Sequence, residues 1–218
     1  MVKGLLFDLD GTLLNTLADL KNAVNYALAK LSLKQITLSM TKQYIGNGIR
    51  NLLLRALKEE NHHFIDAALL YFKEYYNTHL TDETKPYEKV IDTLKTLKNK
   101  GYKIAVVSNK YHEGTKIICE YFFKDLLDFY LGGKDDIPLK PNDNMVNIAI
   151  KELSLEKEEC IFIGDSDVDI LTAKNANLLS VAVTYGYKEI DILKEYEPDY
   201  LISSIDEIFI ILKEINNE

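Results

Sequence analysis

The sequence predicts an α/β fold: a parallel sheet with helices on both faces, and a small all-helical segment inserted after the first strand. Three observations carry this. Short apolar runs at 103–107, 129–131, 160–163, 180–184 and 200–202 alternate with stretches of helical periodicity, and such alternation builds a parallel sheet. Between residues 15 and 81 the apolar positions recur only at helical spacing, with no strand signal among them. The chemically capable polar residues come after apolar runs, at strand ends that an open parallel sheet gathers along one edge. The expected architecture is a Rossmann-like core from residues 1–14 and 82–218, with a helical cap from residues 15–81.

The first strand, at 3–9, carries Leu5, Leu6 and Phe7 and stops in Asp8, Asp10, Gly11 and Thr12. An apolar run of this kind reads as a strand buried on both faces. Asp8 and Asp10 are two apart, so an extended chain points both to one side. Gly11 allows a turn with positive φ. Two carboxylates this close stay ionised when a cation lies beside them. Four helices follow. The first carries Leu17, Leu20, Val24, Ala27, Leu28 and Leu31. Ser39 is expected to cap the second, which ends at Gly46. The third carries Ile49, Leu52, Leu53, Ala56 and Leu57. The fourth carries Ile65, Leu69, Phe72 and Tyr76, and its tyrosine-rich run is read as cap packing.

From Pro86 the pattern changes. Pro86 is expected to open a helix through Val90, Ile91, Leu94 and Leu97, closed by Gly101. The strand at 103–107 ends in Ser108 and Asn109, and a helix at 111–122 follows. The strand at 129–131 ends in Gly132 and Gly133, with Lys140 before a helix at 142–153. The strand at 160–163 ends in Gly164 and Asp165, before a helix at 166–176. Strands at 180–184 and 200–202 and a helix at 206–215 complete the chain.

At 218 residues, 47% apolar and 28% charged, the chain can bury a core and carry a second, smaller domain. A net charge of −8 argues against nucleic acid or an anionic membrane as main partner. It leaves room for a small phosphorylated metabolite, because a metal and a few local cations can invert the field inside one cleft. Cys119 and Cys160 lack zinc spacing, and Cys160 reads as a core residue of a reducing compartment. No signal-peptide pattern or bilayer-length apolar run is seen; the expected location is cytoplasmic. His62, His63, His79 and His112 read as solvated side chains without a partner at metal spacing. The sequence carries no signal of oligomeric state.

Taken singly, the polar residues have ordinary uses: a surface lysine at 140, a helix cap at Ser108 or Asp165. Asp165, Asp167 and Asp169 also mimic the start of a calcium loop, but Ile170 and Ala176 stand where that loop needs glycine and glutamate. Taken in order, Asp8-Leu9-Asp10-Gly11-Thr12, Ser108-Asn109, Lys140-Pro141 and Gly164-Asp165-Ser166-Asp167-Val168-Asp169 resemble the four motifs of the haloacid dehalogenase superfamily. The helical segment resembles the cap of the subgroup with its insertion at that point. One departure is Asn142-Asp143 after Lys140-Pro141, where a second proline is usual.

The resemblance implies that Asp8 is a nucleophile towards phosphorus and that Asp10 is the general acid and then the base. It implies a magnesium ion held by Asp8, the backbone carbonyl of Asp10, and Asp165. Ser108 and Lys140, with Thr12 and Asn109, are the implied phosphate-binding residues, and Asp169 orients the shell or Lys140. The residue chemistry agrees: carboxylates serve as covalent nucleophiles, magnesium takes hard oxygen ligands, and a lysine with a hydroxyl or N–H cradles a phosphoryl group. Dehalogenases of this superfamily lack the second aspartate, so Asp10 favours phosphate chemistry.

Gly46-Asn47-Gly48, followed by Leu52, Arg55, Ala56 and Leu57, resembles the cap signature of phosphoglycolate phosphatases. Thr184-Tyr185-Gly186-Tyr187 resembles a stretch after their fifth strand. N–H groups at a glycine-rich helix start bind anions, so Gly46, Asn47, Gly48 and Arg55 are the expected specificity residues. The implied substrate is 2-phosphoglycolate. Pyrophosphatase, sugar-phosphate phosphatase and phosphoglucomutase-like activities stay open, as does a phospho-accepting signalling domain, which needs no helical insert.

Overall fold

The computed structural model describes residues 1–217; Glu218, the last residue of the expected core segment, lies outside them. The chain starts with β1 (Gly4–Phe7) and a two-residue strand, β2 (Leu14–Asn15). Four helices follow: α1 (Leu17–Lys30), α2 (Leu38–Tyr44), α3 (Gly48–Leu57) and α4 (Ile65–His79). Then come β3 (Lys85–Pro86), α5 (Val90–Asn99), β4 (Lys103–Tyr111), α6 (His112–Phe123), β5 (Phe129–Gly133), α7 (Asn144–Leu153), β6 (Cys160–Gly164) and α8 (Asp167–Ala176). The chain closes with β7 (Leu179–Val183), α9 (Ile190–Glu195), β8 (Tyr200–Ile202) and α10 (Ile208–Asn216).

Six strands form one sheet in the order β5-β4-β1-β6-β7-β8, and β2 pairs separately with β3. Every neighbouring pair in the larger sheet is parallel. The chain builds outward from β1 to β5, then returns to β6 on the other side of β1. That reversal opens a crevice at the carboxyl ends of the central strands.

Burial on both faces explains the strand sequences. Leu6, Ala105, Val107 and Phe162 join one cluster with Met145, Val146, Ala149 and Ile150 of α7 and Ala173 and Ala176 of α8. Their strand neighbours Leu5, Phe7, Ile104, Val106, Ile161 and Ile163 are wholly buried as well. A strand covered on both sides needs apolar residues at every position, and each large side chain so buried contributes about 1.5–3 kcal/mol. Cys119 and Cys160 are separate, buried thiols. Among the described residues no helix is long and apolar enough to cross a membrane.

The chain divides into two compact units, Met1–Leu14 with Pro86–Glu218, and Asn15–Lys85. In the helical unit α1 packs along α4, with Phe72 and Tyr76 fully buried. Asp19, in the first turn of α1, accepts hydrogen bonds from Glu83 N (3.1 Å), Thr84 N (2.9 Å) and Thr84 Oγ1 (2.8 Å). Residues 83 and 84 are thereby tied to the helices.

Several local expectations change. Thr37, not Ser39, caps α2, its side chain accepting from Met40 N. Pro86 lies in β3, and α5 begins only at Val90, after Lys89 in the left-handed region (φ 63°). β4 runs four residues past the expected end at Val107, with a register shift between Ser108 and Tyr111. Its apolar run stops at 107, but pairing to β5 carries the extended backbone on. His112 is not merely solvated, since its Nδ1 accepts from Gly132 N (3.2 Å). The six residues of α9 are too few to display a helical period.

Candidate active site

The strand register levels three chain ends. Phe7 of β1 pairs with Val106 of β4 and Ile163 of β6, and Asp8 N continues the ladder to Ile163 O (2.8 Å). Asp8, Ser108 and Asp165 therefore emerge at the same edge. The chain then turns back sharply, with Gly11 N donating to Leu14 O (2.8 Å). Gly11 has φ 97°, and a Cβ there would lie 2.4 Å from Asp165 Oδ2. Only glycine allows both the turn and the approach of Asp165.

Lys140 joins the carboxylates. Its Nζ donates to Asp8 Oδ1 (2.7 Å) and Asp169 Oδ1 (2.7 Å). All three residues are buried. Asp169 Oδ2 accepts from Ser166 N (3.1 Å) and Ser166 Oγ (2.6 Å), which also caps α8. Burial works against the Lys140 ammonium, but Asp169 and Asp8 more than offset it, so its pKa is raised. Burial pushes the Asp8 carboxyl up to about 7, against the pull of Lys140 and with Asp169 adding to the rise. Burial pushes Asp165 up too, helped by Asp169 and Asp8.

Other expected phosphate-binding residues are used within the protein. Thr12 Oγ1 donates to Asp165 Oδ1 (3.1 Å). Asn109 brackets the main chain of Lys140, with Nδ2 donating to Lys140 O (2.9 Å) and Oδ1 accepting from Lys140 N (2.8 Å). Ser108 Oγ accepts from Lys110 N (3.2 Å). Thr12 and Asn109 thus hold Asp165 and Lys140 in place.

Two features escaped the sequence reading. Lys110 reaches Asp10, with Nζ at 3.2 and 3.4 Å from its two carboxylate oxygens. The available signal was position: Lys110 stands two residues beyond Ser108, the same face of an extended chain. The second is the contact made by the Thr184-Tyr185-Gly186-Tyr187 loop. Tyr187 N donates to Asp165 Oδ2 (2.7 Å), and Tyr185 Oη donates to Thr12 O (2.9 Å). A Cβ on Gly186 would sit 2.2 Å from Asp165 Cβ. Nothing in the sequence pairs residues so far apart.

In the helical unit, Gly46 and Gly48 take positive φ (126° and 80°) around Asn47, which precedes α3. Arg55 lays its fork across this loop, Nη1 donating to Tyr44 O (2.5 Å) and Nη2 to Asn47 Oδ1 (2.8 Å). Arg50 pairs with Asp66 (3.2 Å) at the surface.

The sequence pattern of haloacid dehalogenase-like hydrolases fits residues 5–183. The chain belongs to that family. Relatives called phosphoglycolate phosphatase include one from Colwellia psychrerythraea, 34% identical over 96% of both chains. Another, from Pasteurella multocida, is 36% identical over 95% of this chain and 96% of its own. A crystal structure described as a predicted phosphoglycolate phosphatase from Haemophilus somnus superposes with a TM-score of 0.88, at 31% identity, covering 97% of this chain and 98% of that one. This haloacid dehalogenase-like chain is a phosphoric monoester hydrolase of the phosphoglycolate phosphatase-like subgroup. A signalling domain that only accepts phosphate is thereby set aside.

Its carboxylates also fit a divalent cation. Asp8, Asp165 and Asp169 each bring one oxygen to within 4.8 Å of the others. The raised pKa values of Asp8 and Asp165 mark buried negative charge that Lys140 alone does not balance. Hard carboxylate oxygens suit magnesium or calcium rather than a soft metal.

Proposed function

We propose that this hydrolase converts 2-phosphoglycolate and water to glycolate and inorganic phosphate, with magnesium, through a phosphoryl group carried on Asp8. The observation that supports this best is the meeting of Asp8, Lys140 and Asp165 at one sheet edge, with both carboxyls pushed up by burial. The substrate follows from the relatives' names and from the cap sequence at Gly46, Asn47, Gly48 and Arg55.

Magnesium would be held by the carboxylates of Asp8 and Asp165 and the backbone carbonyl of Asp10. It would supply positive charge against the phosphoryl oxygens. Asp169, with one oxygen on Lys140 and the other on Ser166, is left to orient the lysine. An oxygen of Asp8 attacks phosphorus, and Asp10 gives a proton to the departing glycolate oxygen. Asp10 then takes a proton from water as that water attacks the phosphorus and frees Asp8. Lys140 and Ser108 hold the phosphoryl oxygens through both displacements. Thr12 and Asn109 support the site through Asp165 and Lys140. The glycine-flanked loop at Asn47, braced by Arg55, is proposed to read the carboxylate. A cytoplasmic setting suits two buried free thiols.

The test is phosphate release from a panel of small phosphate esters, with magnesium and with chelator. 2-Phosphoglycolate should give the highest kcat/KM, and chelator should abolish turnover. Pyrophosphate or a hexose phosphate ahead by about tenfold, 1.4 kcal/mol in barrier, would reassign the substrate. Full activity in chelator would remove the metal.

A further inference from the structure

Lys110 has no role in the reaction derived so far. Its side chain is 3% exposed, more enclosed than that of Asp10 at 14%. Its backbone is held from several sides. Lys110 N donates to Ser108 Oγ (3.2 Å), and Lys110 O accepts from Thr115 Oγ1 (3.1 Å). Gly132 of the neighbouring strand lets that carbonyl in, since a Cβ there would lie 2.6 Å from it. The ammonium reaches both oxygens of Asp10 at nearly equal distance, 3.2 and 3.4 Å. A grip on both oxygens constrains the rotation of the carboxyl group, which a contact to one oxygen would not.

Asp10 stands at the start of a turn, with its side chain partly open to water. An acid that must meet a leaving oxygen needs its rotamer held. A buried ion pair adds little net stability over an apolar pair, so geometry is the more economical account of this one. We infer that Lys110 is a positioning residue: it holds the Asp10 carboxyl in the orientation from which proton transfer to the leaving group occurs. The inference rests on the reading of Asp10 as acid and base.

The experiment is a double-mutant cycle with two substrates. kcat, KM and the single-turnover rate of leaving-group release are measured for 2-phosphoglycolate, whose leaving group needs a proton, and for p-nitrophenyl phosphate, whose leaving group does not. The two esters are compared on the single-turnover rate, because the later hydrolysis at Asp8 is common to both. The proteins are wild type, Asp10→Asn, Lys110→Met, Lys110→Arg and the double variant Asp10→Asn/Lys110→Met, each checked by thermal melting. Lys110→Met should lower kcat on 2-phosphoglycolate by about 10- to 100-fold, less than the 10²–10⁴-fold typical of losing the acid itself. It should cost much less on the aryl ester and leave KM nearly unchanged. In the Asp10→Asn background it should cost about twofold or less, because a residue acting through Asp10 has nothing left to position. Lys110→Arg should recover part of the loss.

Equal losses on both esters, or a full loss repeated in the Asp10→Asn background, would overturn the inference. So would a raised KM for 2-phosphoglycolate with kcat intact, which would make Lys110 a receptor for the substrate's carboxylate. The underlying reading fails separately, if Asp10→Asn itself does not distinguish the two esters. Should Lys110→Met not fold, Lys110→Gln carries the same comparison, since its amide keeps much of the side chain's bulk and a polar end but carries no charge to grip the carboxylate.

Discussion

Lys140 holds two buried carboxylates at once, 2.7 Å from each, and so sets one positive charge against Asp8 and Asp169 where water is largely excluded. The ammonium offsets part of the desolvation cost, and the shift that remains in Asp8 is what a cation would relieve. If Asp8 is the nucleophile, Asp8→Asn should fold, bind substrate and lose nearly all turnover, since an amide does not attack phosphorus here. Steady-state kinetics decide this. Retention of more than about a tenth of wild-type kcat, a loss of only ~1.4 kcal/mol, would place the nucleophile elsewhere. The polar motifs around Asp8 were legible because each follows an apolar run. Thr12 and Asn109 were legible as members of the site but not by contact: both side chains turn inward, to Asp165 and Lys140.

Two segments of the helical unit are tied down by charged side chains. Asp19 ties α1 to residues 83 and 84 with three donors. Replacing it by alanine leaves the buried N–H and hydroxyl of Thr84 without that acceptor, at about 1–3 kcal/mol. Asp19→Ala should therefore lower Tm by several degrees, at about 2–4 °C per kcal/mol for a chain of this size. An unchanged melt would show that the return segment is anchored by packing alone. Arg55 braces the loop before α3 through Tyr44 O and Asn47. If that loop reads the substrate carboxylate, Arg55→Ala should raise KM for 2-phosphoglycolate by about tenfold or more, 1.4 kcal/mol. A small neutral-tailed ester should be nearly unaffected. Arg55→Lys should not rescue, because a point charge cannot span both acceptors. Equal losses on the two esters would leave Arg55 as a brace of the helices only.

At the scale of the whole molecule, folding and the proposed metal binding draw on the same charges. Burial raises Asp8 from 3.8 in the unfolded chain to about 7 in the folded, metal-free protein. Between those values the folded state binds more protons than the unfolded one, so stability falls as pH rises through that window. A divalent cation held by Asp8 would take the proton's place and restore what is lost. Magnesium should therefore raise Tm clearly at about pH 8 and much less at about pH 5.5, where the proton already neutralises Asp8. Differential scanning fluorimetry with magnesium and with chelator reads this directly. An equal rise at both pH values would separate the metal from Asp8.

What the sequence determined by itself was whatever depends on neighbours along the chain. Period and apolar runs set the alternation of β4 to β7 with α6, α7 and α8, and the all-helical stretch α1 to α4, because a buried strand and an amphipathic helix write their environment into adjacent residues. Motif order set the family. What only the tertiary structure decided was everything that depends on register and distance. Pairing to β5 carried β4 past its apolar run and brought Lys110 to Asp10, 100 residues away along the chain. The loop at Gly186 closes on Asp165 because both follow neighbouring parallel strands, β7 and β6. Such contacts join residues whose local sequences carry no mark of one another, and they form only when a single strand register levels the ends of the sheet.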